Sequence, residues 1–319
     1  MSDLPTVVVG RLLLPAGMEM LTGRCEVRSG GADPTREEIL TLVRGAAVIV
    51  ADPTIAVDEE LLAAAGPGLR AVANFAVGYD NIDLEACRGR AVVVTNTPDV
   101  LTNATAELAL ALTLAAARFV SGAERDLRAG HWRGWDPAAY RGLELSGATF
   151  GIVGLGRIGG RYGTLLAGFG VDLVYASPRP RPQRAERLGA RWVELEDLLR
   201  SSDVVSLHAP GTPGNRHMID ARALDLMKES AVLVNTSRGV LVDSEALADA
   251  LREGRIGAAG LDVFEGEPEL PPALAAAPKA VITPHIGSAT VKARDAMART
   301  VAENAIAVLE GRDPPNRIA

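Results

Sequence analysis

The stretch "FGIVGLGRIGGRYGTLLAGFG", Phe150–Gly170, continues directly into "VDLVYASPRPRP", Val171–Pro182. An apolar run stops at Gly154, a helical pattern starts near Arg157, and a second apolar run begins at Val171. In this strand–turn–helix–strand setting each glycine of Gly154-Leu155-Gly156-Arg157-Ile158-Gly159 has a purpose. Gly154 permits the tight turn, Gly156 lets backbone approach a pyrophosphate, and Gly159 allows close helix–strand packing. The N–H groups at the helix start then face the phosphates. A glycine-rich turn alone could be purely structural, but in this context it predicts a dinucleotide-binding unit.

The end of the second strand refines that expectation. An acid there would bind the adenosine ribose hydroxyls and repel a 2′-phosphate. This chain instead offers Ser177, Arg179 and Arg181. A hydroxyl and guanidinium groups suit a phosphate, so the expected cofactor is NADP(H), with NAD(H) possible. Arg179 is the leading candidate. The competing reading is a solvated basic helix start in which Arg181, Arg184 and Arg187 face water.

Outward from this unit, short β-branched runs alternate with Ala/Leu-rich helical patterns. The runs are 6–10, 46–51, 69–75 and 91–96, then 148–154, 171–176, 203–208, 231–236, 256–262 and 280–285. Continuous apolar strands separated by helices predict an α/β fold of parallel sheets covered on both faces. Ten strands exceed one small sheet. Pro98 ends a strand, and Thr102 is a plausible N-cap for a long apolar helix. After His285, "SATVKARDAMARTVAENAIAVLEG" reads as one amphipathic helix returning to the first domain. The expectation is two Rossmann-like or flavodoxin-like domains. One is a discontinuous substrate-binding domain, 1–98 with 288–319; the other is a dinucleotide-binding domain, 99–287; a hinge joins them.

Bulk properties narrow the function. The 319 residues are 48% hydrophobic and 23% charged, with net charge −7, which argues against a nucleic-acid partner. No targeting signal is visible, and the apolar run 108–117 is too short to span a bilayer. Cys25 and Cys87 lie far apart and form no metal-ligand pattern, so no metal is expected and a reduced, cytoplasmic protein is the default.

Arg238, Glu267 and His285 each follow a strand-like run of the second domain. Strand carboxyl ends share one edge of a parallel sheet, so residues distant in sequence can meet there. An imidazole beside a carboxylate holds its proton more firmly, which suits proton donation to a carbonyl. An arginine can polarise that carbonyl or hold a carboxylate. His208 also ends a strand and is read as cofactor-lining or structural, whereas His131 and His217 are expected to face solvent.

"GLGRIG", "VNTSRGVLVD", "GLDVFEGEP" and "TPHIGSAT" closely resemble the D-isomer-specific 2-hydroxyacid dehydrogenase family. "NFAVGYDNID" and "VVVTNTPDVLTNATAELALAL" look most like its glyoxylate/hydroxypyruvate reductase branch. The resemblance implies that His285 is the proton donor, Glu267 its partner, and Arg238 the ligand of the substrate carboxylate and carbonyl. It implies that backbone amides of Ala76, Val77 and Gly78 hold the carboxylate. It also implies that Asp262 contacts the nicotinamide carboxamide, that Arg157 and Ile158 contact the pyrophosphate, and that Pro210, Thr236 and Ser237 line the dinucleotide. Thr105 would cap the long helix near the phosphates. "WRGWDP" resembles a loop that places a Trp into the partner subunit's active site; Trp135 matches, implying a homodimer, although Trp132 and Trp135 could instead anchor a loop in the core. Two segments depart from the family: Gly211 and Gly214 replace bulkier residues, and "ADPTIAVDEE" is unusual, with Pro53 or Thr54 a candidate pocket residue.

The expected reaction is NADPH-dependent reduction of a small 2-oxo acid, glyoxylate or hydroxypyruvate, to the D-2-hydroxy acid. The alternatives are a family dehydrogenase for another acid, such as phosphoglycerate or a bulky 2-oxo acid, and a non-catalytic dinucleotide-sensing co-regulator.

Overall fold

The computed structural model describes residues 4–319. The chain divides into two compact units, residues 1–101 with 288–319, and residues 102–287. Both are parallel α/β sandwiches.

The first unit holds β1 (Thr6–Val9), β2 (Glu26–Ser29), β3 (Val48–Ala51), β4 (Ala71–Asn74) and β5 (Val93–Thr95), in the order β2-β1-β3-β4-β5. Its three central strands are buried along their full length because helices cover both faces. One face packs around Ile49, Leu61 and Val72, the other around Val7, Val48 and Val301. The Val291–Leu309 helix supplies Val301, and Thr290 caps it by accepting from Ala293 N–H. Asp58 and Asp83 cap two further helices in the same way.

The second unit holds β6 (Thr149–Val153), β7 (Asp172–Ala176), β8 (Arg191–Trp192), β9 (Val204–Leu207), β10 (Val232–Asn235), β11 (Ala258–Leu261) and β12 (Ala280–Ile282). Their order is β12-β11-β10-β9-β6-β7-β8, all parallel. The chain runs outward from β6 to β8 and then restarts at β9 on the other side of β6. The β6/β9 boundary is therefore the topological switch point, where ligands of open α/β sheets bind.

All ten apolar runs become strands. Two more strands, β2 and β8, lie at sheet edges. Their sequences, "EVRS" and "RW", are polar and mostly exposed, because an edge strand need not be apolar on either face. The long apolar helix spans Thr102–Ala117, so Thr102 is its first residue rather than its cap. Half of this helix is buried. No single described helix is long and apolar enough to cross a membrane; the bent pair Thr102–Ala117 and Val120–Arg128 passes only when taken together.

Candidate active site

At the switch point of the second unit, Gly154 adopts φ +96°, a region that L side chains rarely enter. A Cβ there would fall 2.7 Å from the His208 carbonyl oxygen at the end of β9. Gly159 packs back on the same turn, its missing Cβ 2.3 Å from Gly154 O. Gly156 is different. It is the N-cap of the Arg157–Leu165 helix, no side chain caps that helix, and the space where its Cβ would point is open. An uncapped helix start opening onto free space fits a pyrophosphate, so the residues present suit a dinucleotide. Arg157 is exposed at this start, and Ile158 is half-buried against the core.

The end of β7 carries the residues expected to read the ribose. Ser177 is half-buried, and its hydroxyl donates to Arg179 O at 2.6 Å, closing a tight loop. Arg181 is the N-cap of the Pro182–Leu188 helix, and its backbone N–H donates to the Tyr175 hydroxyl at 2.9 Å. The Arg179 and Arg181 side chains are both exposed. Arg184 does more than face water: its guanidinium donates to Leu155 O at 2.9 Å, inside the glycine-rich turn. Gly160 leaves room for its stem, since a Cβ there would lie 2.7 Å from Arg184 Cδ. The contact was not legible in the sequence because it joins a helix to a turn 29 residues earlier.

The ends of β10, β11 and β12 lie level, with Asn235 opposite Leu261 and Leu261 opposite Ile282. Arg238, Glu267 and His285 follow these three ends. The turn after Arg238 packs directly on the segment after β11: a Cβ on Gly239 would overlap Phe264 C and O at 2.1 Å. Phe264 N–H donates to Glu267 Oε1 at 3.0 Å, and Glu267 Oε2 meets His285 Nδ1 at 2.7 Å. Glu267 and His285 are thus paired directly, on a segment whose backbone packs against the turn that follows Arg238. Glu267 has one oxygen fixed by backbone and the other on the imidazole, which leaves His285 Nε2 free of this pair. His285 itself adopts φ +52°, a strained conformation for a non-glycine residue, costing of order 1–3 kcal/mol. Its N–H donates to Asp262 O and Thr283 O, both at 3.0 Å.

Asp262 is 1% exposed. Its oxygens accept from Thr283 Oγ1 (2.6 Å), Ile286 N–H (2.8 Å) and Gly287 N–H (2.7 Å), so the carboxylate ties down the loop that carries His285. Burial pushes this carboxyl above its usual range, and the three donors oppose that shift. Thr105 is not a helix cap. It lies inside the first turn of the Thr102–Ala117 helix, buried beside Gly287, whose Cβ would sit 3.5 Å from Thr105 Oγ1. Ser237 Oγ donates to Ala209 O, and Ser237 N–H to Asn235 Oδ1 at 3.0 Å. Thr236 is buried, with its hydroxyl unpaired among the described residues. Pro210 is exposed, and its carbonyl accepts from Asn215 Nδ2 at 2.9 Å.

His208 is half-buried and ends a polar chain whose other members, Ser206, Tyr162 and Thr113, are fully buried. Its Nε2 meets Ser206 Oγ at 2.9 Å, its ring lies 5.2 Å from Tyr162, and the Tyr162 hydroxyl meets Thr113 Oγ1 at 2.7 Å. Burial pushes the imidazole from its ordinary 6.5 down to about 3, so it is neutral beneath the glycine-rich turn. His217 does not simply face solvent. It is half-buried, with Nε2 on Glu265 Oε2 at 2.8 Å, and Glu265 Oε1 also holds Arg216 at 2.6 Å. His131 is exposed near Asp126. Trp132 and Trp135 are not core anchors: both stand out from the protein, Trp135 at 85% exposure.

In the first unit, Ala76, Val77 and Gly78 follow β4, with Ala76 buried and the other two half-buried. Thr54 lies just past β3, where its hydroxyl accepts from Arg11 Nη1 at 3.3 Å.

A family profile described as "D-isomer specific 2-hydroxyacid dehydrogenase, NAD binding domain" matches residues 110–287. The chain is 45% identical to a glyoxylate reductase of Thermococcus litoralis, covering 98% of this chain and 96% of that protein. A glyoxylate reductase of Pyrococcus furiosus is 44% identical, covering 98% and 95%. Among solved structures, a Thermus thermophilus protein superposes with TM-score 0.92 at 44% identity, covering 98% of this chain and 100% of that one. The NADPH-dependent glyoxylate/hydroxypyruvate reductase of Sinorhizobium meliloti, in complex with NADP and malonate, superposes with TM-score 0.87 at 34% identity, covering 99% and 97%. The chain belongs to the D-isomer specific 2-hydroxyacid dehydrogenase family, alongside its glyoxylate reductases, and is an oxidoreductase with a nicotinamide-dinucleotide-binding domain.

Proposed function

We propose that this chain reduces a small 2-oxo acid, glyoxylate or hydroxypyruvate, to the D-2-hydroxy acid with NADPH as reductant. The observation that carries this reading is the His285–Glu267 pair, 2.7 Å apart, next to the Arg238 turn at one sheet edge. The bound dinucleotide supplies hydride to the keto carbon. His285 donates a proton from Nε2 to the keto oxygen while Glu267, on Nδ1, balances the imidazolium charge. Arg238 polarises the carbonyl and pairs with the carboxylate. The first unit contributes backbone N–H groups around Ala76, Val77 and Gly78 for the same carboxylate. Asp262 keeps the His285 loop in place, which fixes the acid before substrate arrives.

Ser177, Arg179 and Arg181 support NADP(H) over NAD(H), because no acid at the end of β7 opposes a 2′-phosphate. The S. meliloti reductase with bound NADP is consistent with that preference. The exposed Trp135 supports a homodimer in which the loop after the Val120–Arg128 helix reaches the partner subunit's site. The test is an absorbance assay at the nicotinamide band, crossing NADPH and NADH with glyoxylate, hydroxypyruvate, pyruvate and a bulky 2-oxo acid. Turnover fastest with NADPH and the two small acids is expected; no turnover with any 2-oxo acid would overturn the reading.

A further inference from the structure

The loop after β4 is held by a set of asparagines that the proposed reaction leaves without a role. Three successive carbonyls are pinned, two by the segment after β5 and one by Asn74 at the end of β4. Ala76 O accepts from Thr97 N–H at 3.0 Å, Val77 O from Asn96 Nδ2 at 2.8 Å, and Gly78 O from Asn74 Nδ2 at 2.7 Å. The peptide bonds that follow these carbonyls are trans. In a trans peptide the carbonyl and the next N–H point in opposite directions. Pinning the three carbonyls therefore turns the N–H groups of Val77, Gly78 and Tyr79 away from Thr97, Asn96 and Asn74 respectively, and none of the three donates to an acceptor among the described residues. Successive N–H groups left without a partner are the raw material of an anion-binding concavity.

The pins are themselves fixed. Asn74 is fully buried and pairs with Asn81, whose Nδ2 donates to Asn74 Oδ1 at 3.3 Å. Asn81 Nδ2 also donates to Asp52 O (3.0 Å) and Ile55 O (3.1 Å), so the loop after β3 is tied to the same cluster. Asn96 O accepts from Asn304 Nδ2 at 3.0 Å, and Asn304 Oδ1 accepts from Asn316 Nδ2 at 3.2 Å. Asn96 N–H in turn donates to Asn316 O at 3.2 Å. Neutral amides suit this task, because a charged side chain behind the loop would either compete with the bound anion or repel it.

We infer that Asn74 and Asn96 are positioning residues that hold the Val77, Gly78 and Tyr79 amides as a receptor for the substrate carboxylate. The inference rests on the 2-oxo acid reading, and it moves the receptor one residue beyond the amides of Ala76, Val77 and Gly78. Asn81 links that receptor to Asp52 and Ile55, on either side of Thr54 in the loop after β3.

The test uses the full-length enzyme with glyoxylate, NADPH and the dead-end carboxylate inhibitor oxamate. Asn96→Ala removes the pin on Val77 O, and Asn96→Asp keeps the shape while presenting an acceptor to that carbonyl. Loss of one charge-assisted contact corresponds to a roughly 10- to 100-fold rise in KM for glyoxylate. The oxamate inhibition constant should rise by the same factor in both variants. The Kd for NADPH should stay unchanged, and kcat should fall less than about threefold. A KM within about twofold of wild type, or equal losses in NADPH binding and KM, overturns the positioning role. So does failure of both variants to yield folded protein, which would make these contacts a requirement of the fold. Wild-type protein inert toward every 2-oxo acid would instead sink the proposed reaction, which is a separate result.

Discussion

The carboxyl edges of the two sheets are built alike and equipped differently. In the first unit the edge is lined by amides: Asn74, Asn81 and Asn96 hold backbone carbonyls, and backbone N–H groups are left to act. In the second unit the edge carries Glu267 and His285 in a direct pair, a buried Asp262 behind them, and a neutral His208 under the glycine-rich turn. One edge is suited to gripping an anion with groups that do not titrate. The other is suited to moving a proton. The difference teaches that a parallel sheet fixes where a site lies, while the residues after each strand decide what it can do.

The comparison can be broken most severely at Arg238. Arg238→Gln keeps a donor but loses the charge and the fork. Two charge-assisted contacts would be lost, so kcat/KM should fall by roughly 10²- to 10⁴-fold, with NADPH binding retained in fluorescence titration. A smaller effect is expected at Arg179. Arg179→Ala should raise the KM for NADPH by roughly 10- to 100-fold and leave that for NADH unchanged; equal effects on the two would return Arg179 to a solvated helix start.

The smallest effect sharpens the contrast in titration. His208 is neutral in the folded protein down to about pH 3, whereas in the unfolded chain it takes up a proton below about 6.5. The unfolded state binds more protons across that window, so stability is full above pH 6.5 and falls as pH drops through it. The contribution is about 1.4 kcal/mol per pH unit. His208→Asn should flatten the acid limb of a urea-denaturation series by about that slope. Unchanged acid limbs would show that the imidazole is not held neutral. Asp262 works with the opposite sign: its raised value adds stability as pH falls.

Much of this was legible in the sequence, and what was not has physical reasons. Continuous apolar runs announced ten strands, because a strand covered on both faces must be apolar throughout. β2 and β8 stayed hidden because edge strands carry no such demand. Gly154 and Gly159 could be read because each meets a steric requirement that only glycine satisfies, and Gly156 because the space beside it is left open. Arg184 on Leu155 O could not, nor could the Thr113–Tyr162–Ser206–His208 chain, since their members come from separate elements. His217 was misread for the same reason: Glu265, its partner, lies 48 residues on. The asparagines of the first unit escaped notice because an amide that holds backbone leaves no charge pattern. The resemblance implied that Thr105 caps the long helix, but Thr105 lies inside that helix, buried beside Gly287.

The central claim is that His285, held by Glu267, is the proton donor. Its most direct test is His285→Gln assayed with NADPH and glyoxylate, with NADPH affinity measured in parallel. The account predicts that kcat falls by roughly 10²- to 10⁴-fold while the NADPH Kd is unchanged. Turnover close to wild type, with the imidazole gone, would contradict it.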